Sequence, residues 1–247
     1  MARLKWDETG ARFYETGVRN GVFYPINGSG NYTDGVVWNG LTQVSENPSG
    51  AEPTPLYADD IKYLNLMSVE EFKATIEAYS YPKEFARALG RIELAPGVLI
   101  GQQARKKFGF SYRTSIGNDT DGSDHSYNIH LIYGAKASPS SESYSTIDDS
   151  PEAITFSWEV ATEPIDVANK QPAAHVILSG RLFKENGLMN SMHKLEDILY
   201  GTETTEPALP FPSEIANIIR EDRYITDSNG NEVLDSLGSP IMSFVIH

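Results

Sequence analysis

YNIHLIYGAKASPSSESYSTIDDSPEAITFSWEV, residues 127–160, decides the reading of the fold. Ile154, Phe156, Trp158 and Val160 alternate with Thr155, Ser157 and Glu159. That period of two marks a strand with one buried face. Tyr127, Ile129, Leu131 and Tyr133 alternate in the same way around Asn128, His130 and Ile132. The Ser-rich connection between the two strands runs to about twenty residues, long for a hairpin loop. It is therefore expected to do more than reverse the chain.

Working outward, Phe108, Phe110 and Tyr112 alternate with Gly109, Ser111 and Arg113, and GNDTDGSD at 117–124 turns the chain into the strand at 127–133. On the other side, 174–183 reads as a strand with Val176, Leu178 and Leu182 on one face. Leu188, Met192, Leu195 and Leu199 then form a helical stripe over 190–200, with Asn190 or Ser191 as cap and Gly201 beyond the end. Toward the N-terminus, 1–35 reads as short strands and Gly-rich turns, and 36–44 as a strand broken at the hairpin dipeptide Asn39-Gly40. Residues 45–55 form a polar loop with three prolines, and 61–67 is strand-like. Residues 68–79 fit two patterns. Ser68 and Glu71 make a capping box ahead of helical spacing, while Phe72, Ala74, Ile76 and Ala78 also alternate. One helical turn or two follow Pro82, over 82–89. Past an acidic, Pro-rich connection after Gly201, 223–246 reads as a small hairpin around Asn229-Gly230.

Composition fits this β-rich picture. The 247 residues include 13 Tyr, 10 Phe and 3 Trp, which favour strands and interfaces, and 20 Gly and 14 Pro, which favour turns. The net charge of −14 argues against sequence-reading nucleic-acid binding. With no cysteine, disulfides and thiolate metal sites are excluded. No apolar signal core and no 18-residue apolar run occur, so a chain made in a cytosol and kept soluble, unless exported by another route, is expected.

Candidate chemistry is sparse. DTDGSD at 119–124 misplaces the glycine and lacks the bidentate Glu of a calcium loop, which leaves a polar hairpin tip. GSG at 28–30 lacks dinucleotide context. The histidines (125, 130, 175, 193 and 247) show no ligand spacing, and His130 and His175 are expected at a surface or interface, opposite the apolar faces of their strands. No catalytic residue, cofactor or metal site is expected, and the chain is read as not an enzyme.

Four collinear blocks carry a resemblance. They are KWDETGARFYETGVRNGVFYP (5–25), WNGLTQVSENPSGAEPTPLYADDIKYLNLMSVEEFKATIEAYSYPKEF (38–85), YSTIDDSPEAITFSWEVATEPI (144–165) and KLEDILYGTETTEPALPFPSEI (194–215). Over roughly 4–220 the chain resembles the major tail, or tail tube, proteins of long-tailed phages and prophages of Gram-positive bacteria. The resemblance implies a mainly β, β-rich α+β fold: two packed antiparallel sheets flanked by one α-helix at 190–200. It makes 1–220 the tail-tube domain and 221–247 an extension, and it tips 72–79 toward a strand. An arm over about 31–60 would reach a neighbouring subunit.

The function implied is structural. Six copies would close a ring, and rings would stack into the hollow tube through which phage DNA passes without sequence preference. The implied partners are further copies of the chain and the tape-measure, tail-tip and tail-terminator proteins. The implied place is the virion tail, assembled in the bacterial host cytoplasm. Inter-subunit contacts are expected at Trp38, Asn39, Pro48, Gly50 and Pro53 in the arm, and at Pro139, Tyr144 and Pro151 between the central strands. Deleting 45–54 is expected to leave a folded monomer that makes no tubes. The competing reading is a β-sandwich binding module, such as a tail-tip or carbohydrate-binding protein, with Trp38 and Tyr32 as its aromatic platform.

Overall fold

A computed structural model describes residues 3–144, 146 and 153–223. The protein is a mainly β, β-rich α+β chain built on antiparallel sheets. In chain order the strands are β1 (Phe13–Pro25), β2 (Val36–Trp38), β3 (Leu41–Glu46), β4 (Pro53–Ala58), β5 (Ile61–Met67), β6 (Lys73–Ala78), β7 (Ile92–Ala95), β8 (Val98–Ile100), β9 (Phe108–Asn118), β10 (Gly122–Ala137), β11 (Phe156–Thr162) and β12 (His175–Ser179). Among the described residues three helices follow: α1 (Gly180–Glu185), α2 (Met189–Tyr200) and α3 (Pro212–Arg223). A 3-10 turn at Lys83–Arg87 occupies the segment after Pro82.

Where two sheets were expected, hydrogen bonding among the described residues runs through one eight-stranded sheet, ordered β2-β1-β9-β10-β11-β6-β3, with β12 branching from β10. The branch exists because β10 is long. Its first part pairs with β12 over 128–132, and its last part pairs with β11 over 135–137. Between them the register slips by a bulge, and Gly134 stands at φ +59°. A Cβ there would lie 2.1 Å from the Glu163 carbonyl oxygen, so only glycine fits this crossing.

The branch folds the sheet into two layers. Phe23, Phe108, Phe110 and Ile132 from β1, β9 and β10 pack against Ala74, Ile76, Trp158 and Val160 from β6 and β11. Trp38 and Phe85 fill the middle, with ring centroids 4.5 Å apart. The opposite face of β1 and β10 carries Val22, Tyr24, Ile129, Leu131 and Tyr133 against Met192, Leu195 and Leu199 of α2. The expected two layers and flanking helix are therefore present as packing. The central strand β10 is buried on both faces, so the polar face expected at 128–132 instead meets the second layer.

Local readings fare unevenly. Residues 73–78 are strand, because β6 pairs with β11 and β3 along its whole length. Asn39-Gly40 joins two strands that do not pair with each other: β2 goes to β1 and β3 to β6. Neither expected cap acts on α2; Leu188 precedes it, and Ser191 is buried and donates its hydroxyl to Asp222 on α3 at 2.8 Å. The strand at 174–183 ends at Ser179 and continues as α1. The acidic connection runs into α3, entered by Pro212 at the first helical position, with Glu214 Oε2 accepting the Phe211 N–H at 2.7 Å. The hairpin expected over 223–246 lies almost wholly outside the described residues.

Candidate functional site

β4 and β5 form a two-stranded hairpin that leaves the body of the protein. Asp59 and Asp60, both at positive φ, make the two-residue loop that the strand twist favours. Every residue of both strands is exposed. Leu56 lies opposite Leu64, and Leu66 opposite Thr54, so three exposed leucines share one face. Tyr57, Ile61, Tyr63 and Met67 are exposed as well. Such a hairpin is marginal alone in water. Its root is fixed by Ser49 and Glu71, which exchange backbone hydrogen bonds of 2.8 and 2.7 Å. A second exposed hairpin, β7–β8, turns at Pro96-Gly97 and presents Leu94, Val98 and Leu99. Its root is tied by Arg91, which donates to both carboxylate oxygens of Glu142 at 2.8 Å, and by Arg105, which donates to the Ala137 carbonyl.

The expected contact residues divide. Trp38 is only 2% exposed and donates its indole N–H to the Ser80 carbonyl at 2.8 Å, so it belongs to the core and offers a neighbour nothing. Asn39, Pro48, Gly50 and Pro53 are exposed. Gly50, at φ +89°, lies so close to the Val69 carbonyl that a Cβ would meet it at 2.5 Å. Pro139 and Tyr144 are exposed, Tyr144 with its hydroxyl on Glu142. Pro151 lies outside the described residues. The arm is also displaced from 31–60. Tyr32 is buried, 41–46 is sheet, and the projecting segment is the hairpin beyond Ser49 and Glu71. A deletion of 45–54 would cut into β3. The tip at 119–124 is the expected polar turn, organised by the Asn118 side chain accepting the Thr120 and Asp121 N–H groups.

At the root of the arm lies a cluster that no sequence spacing announced. Glu46 ends β3, His130 sits in β10 and His175 opens β12. His130 Nδ1 is 3.1 Å from Glu46 Oε1, His175 Nε2 is 3.3 Å from the same oxygen, and the two imidazole nitrogens are 3.2 Å apart. His130 is 7% exposed, so it is a buried residue and not a surface one. Its ring stacks on Tyr112 at 4.5 Å, and His175 stacks on Phe72 at 4.5 Å. Phe72 follows Glu71 directly. Thus both ends of the arm, Glu46 going out and Phe72 returning, rest on the two histidines.

Charges in the cluster are shifted as this packing requires. The hydrogen bond to His130 holds the Glu46 carboxyl down at about 2, helped by the Tyr112 hydroxyl and by electrostatic attraction to the two rings, against a burial that would raise it. The Tyr112 hydroxyl donates to Glu46 at 2.6 Å, and burial together with that carboxylate raises its pKa far above the usual range. Burial lowers His175, against the pull of the Glu46 charge, and so favours the neutral ring. On the far side of His130, Nε2 lies 3.3 Å from the Thr114 hydroxyl and 3.4 Å from Glu15 Oε1. Burial alone would raise Glu15, but hydrogen bonds from Thr114, Asn128 and His130 bring it below its ordinary value.

No protein-family model matches the chain, and no curated protein matches it.

Proposed function

We propose that the chain is the tube-forming tail protein of a long-tailed phage or prophage, a structural protein whose partners are further copies of itself. Six copies close a ring, rings stack into a hollow tail tube, and the genome passes through the bore. The sequence resemblance points toward this family, and the arm is the observation that carries the reading. A hairpin exposed along both strands, with three leucines on one face, is poorly stable until another surface covers it. Covering one such leucine is worth roughly 1–2 kcal/mol, since each is already partly shielded. A second copy suits the role because a head-to-tail contact of this kind propagates into rings and filaments. The binding-module reading loses support here, because Trp38 and Tyr32, its aromatic platform, are both buried.

Photo-crosslinking tests the arm's role. The chain has no cysteine, so Asp60→Cys at the arm tip gives one attachment point for a benzophenone label. Illumination of the assembled protein is expected to give adducts of two and more chains, with the arm peptide joined to the body of another copy. Adducts confined within one chain would overturn the arm's role in assembly.

A further inference from the structure

We propose that Glu46, His130 and His175 form a binding site for a divalent transition-metal ion of the zinc type, at the root of the arm. The three donor atoms make a nearly equilateral triangle with sides of 3.1, 3.2 and 3.3 Å. An ion with tetrahedral bonds of about 2.0–2.1 Å separates its ligands by about 3.3–3.4 Å. The triangle is therefore one face of such a tetrahedron, and an ion on it needs only slight outward movement of the ligands. The donor set, two imidazoles and one carboxylate, is one that zinc and its first-row neighbours accept.

The surroundings fit a metal site in two further respects. His130 presents Nδ1 to the triangle while its Nε2 faces Glu15 and Thr114. Metal binding displaces the proton that Nδ1 gives to Glu46, and the ring keeps its other proton on Nε2, directed at the Glu15 carboxylate; such a carboxylate–histidine pair commonly supports a metal-ligating ring. Tyr112 orients Glu46 in the same way, by donating to the oxygen that faces both rings. A cleft of about 260 Å³ borders His175, lined among others by Val69, Phe72, Pro164 and Pro172.

The ion would join β3, β10 and β12, three strands from different parts of the chain, and hold the outgoing end of the arm to the body. Binding does not depend on the tube reading, and its test does not use assembly.

The test is cobalt and zinc titration of the full-length, untagged, metal-free protein. Cobalt is expected to bind at one equivalent per chain, with the strong visible absorption of four-coordinate cobalt, and zinc to displace it. His175→Ala and Glu46→Gln should each weaken binding at least about tenfold. Glu15→Gln should weaken it about 10–100-fold and keep the stoichiometry. His125→Ala and His193→Ala should change nothing. Should a cluster variant fail to fold, the wild-type protein decides alone. On adding zinc, the ring signals of His130 and His175 should shift in NMR spectra while those of His125 and His193 stay. No cobalt spectrum at millimolar metal would overturn the site. So would binding that survives loss of His175 and Glu46, or zinc shifts confined to other histidines; the cluster is then a hydrogen-bonded contact only.

Discussion

Single residues set the limits of the body and of its tethers. Trp38 packs against Phe85, Phe110, Phe23 and Trp158 and donates its N–H to Ser80, so truncating it leaves a large unfilled volume. Trp38→Ala is expected to cost about 3–5 kcal/mol in urea unfolding, as large aromatic truncations in cores do. A cost below about 1 kcal/mol would show that Trp38 is not a core residue. Glu142 makes a different, pH-dependent contribution. Burial would raise its pKa, but hydrogen bonds from Arg91 and Tyr144 and the charge of Arg91 bring it below the ordinary 4.5. A depressed folded pKa stabilises above the unfolded value and loses that stabilisation as pH falls through the folded one. Wild type should therefore exceed Glu142→Gln by about 1 kcal/mol at neutral pH, with the gap closing progressively below pH 4.5. A gap that widened in acid would contradict the Arg91 tether.

At the scale of elements, the arm is separable from the body. Ser49 and Glu71 already face each other as a bridged pair, so 50–70 can be replaced by an Asn-Gly turn without disturbing β3 or β6. The shortened chain is expected to unfold within about 0.5–1 kcal/mol of wild type, because the removed residues contribute little to the core. A loss of several kcal/mol in chemical denaturation would mean that the arm packs on the body. The elements also show what local pattern can and cannot tell. β10 and β11 were legible because alternation at 127–133 and 154–160 is strong, although β11 itself begins at Phe156. The strand at β6 was ambiguous by pattern, and pairing on both edges decided it. α3 was missed because its prolines read as a connection, although Pro212 with Glu214 two residues later is a helix start. The cluster at Glu46, His130 and His175 could not be read locally at all. Its members lie far apart in sequence and meet only because β3 and β12 both reach β10. The one sequence sign was Ile132, which shares a face with His130 and marked that face as apolar.

At the scale of the whole molecule, a two-layer body with a helix on its back carries, among the described residues, two hairpins with exposed apolar side chains. That division suits the subunit we propose, whose body folds alone and whose hairpins pack against neighbours. Negative-stain electron microscopy of the purified protein, over a concentration series and beside the chain lacking 50–70, tests this most directly. Hollow tubes or six-fold rings from the wild-type chain, and single particles from the shortened one, are the predicted result. Single-chain particles from the wild type at every concentration, or tubes of normal form without the arm, would contradict it.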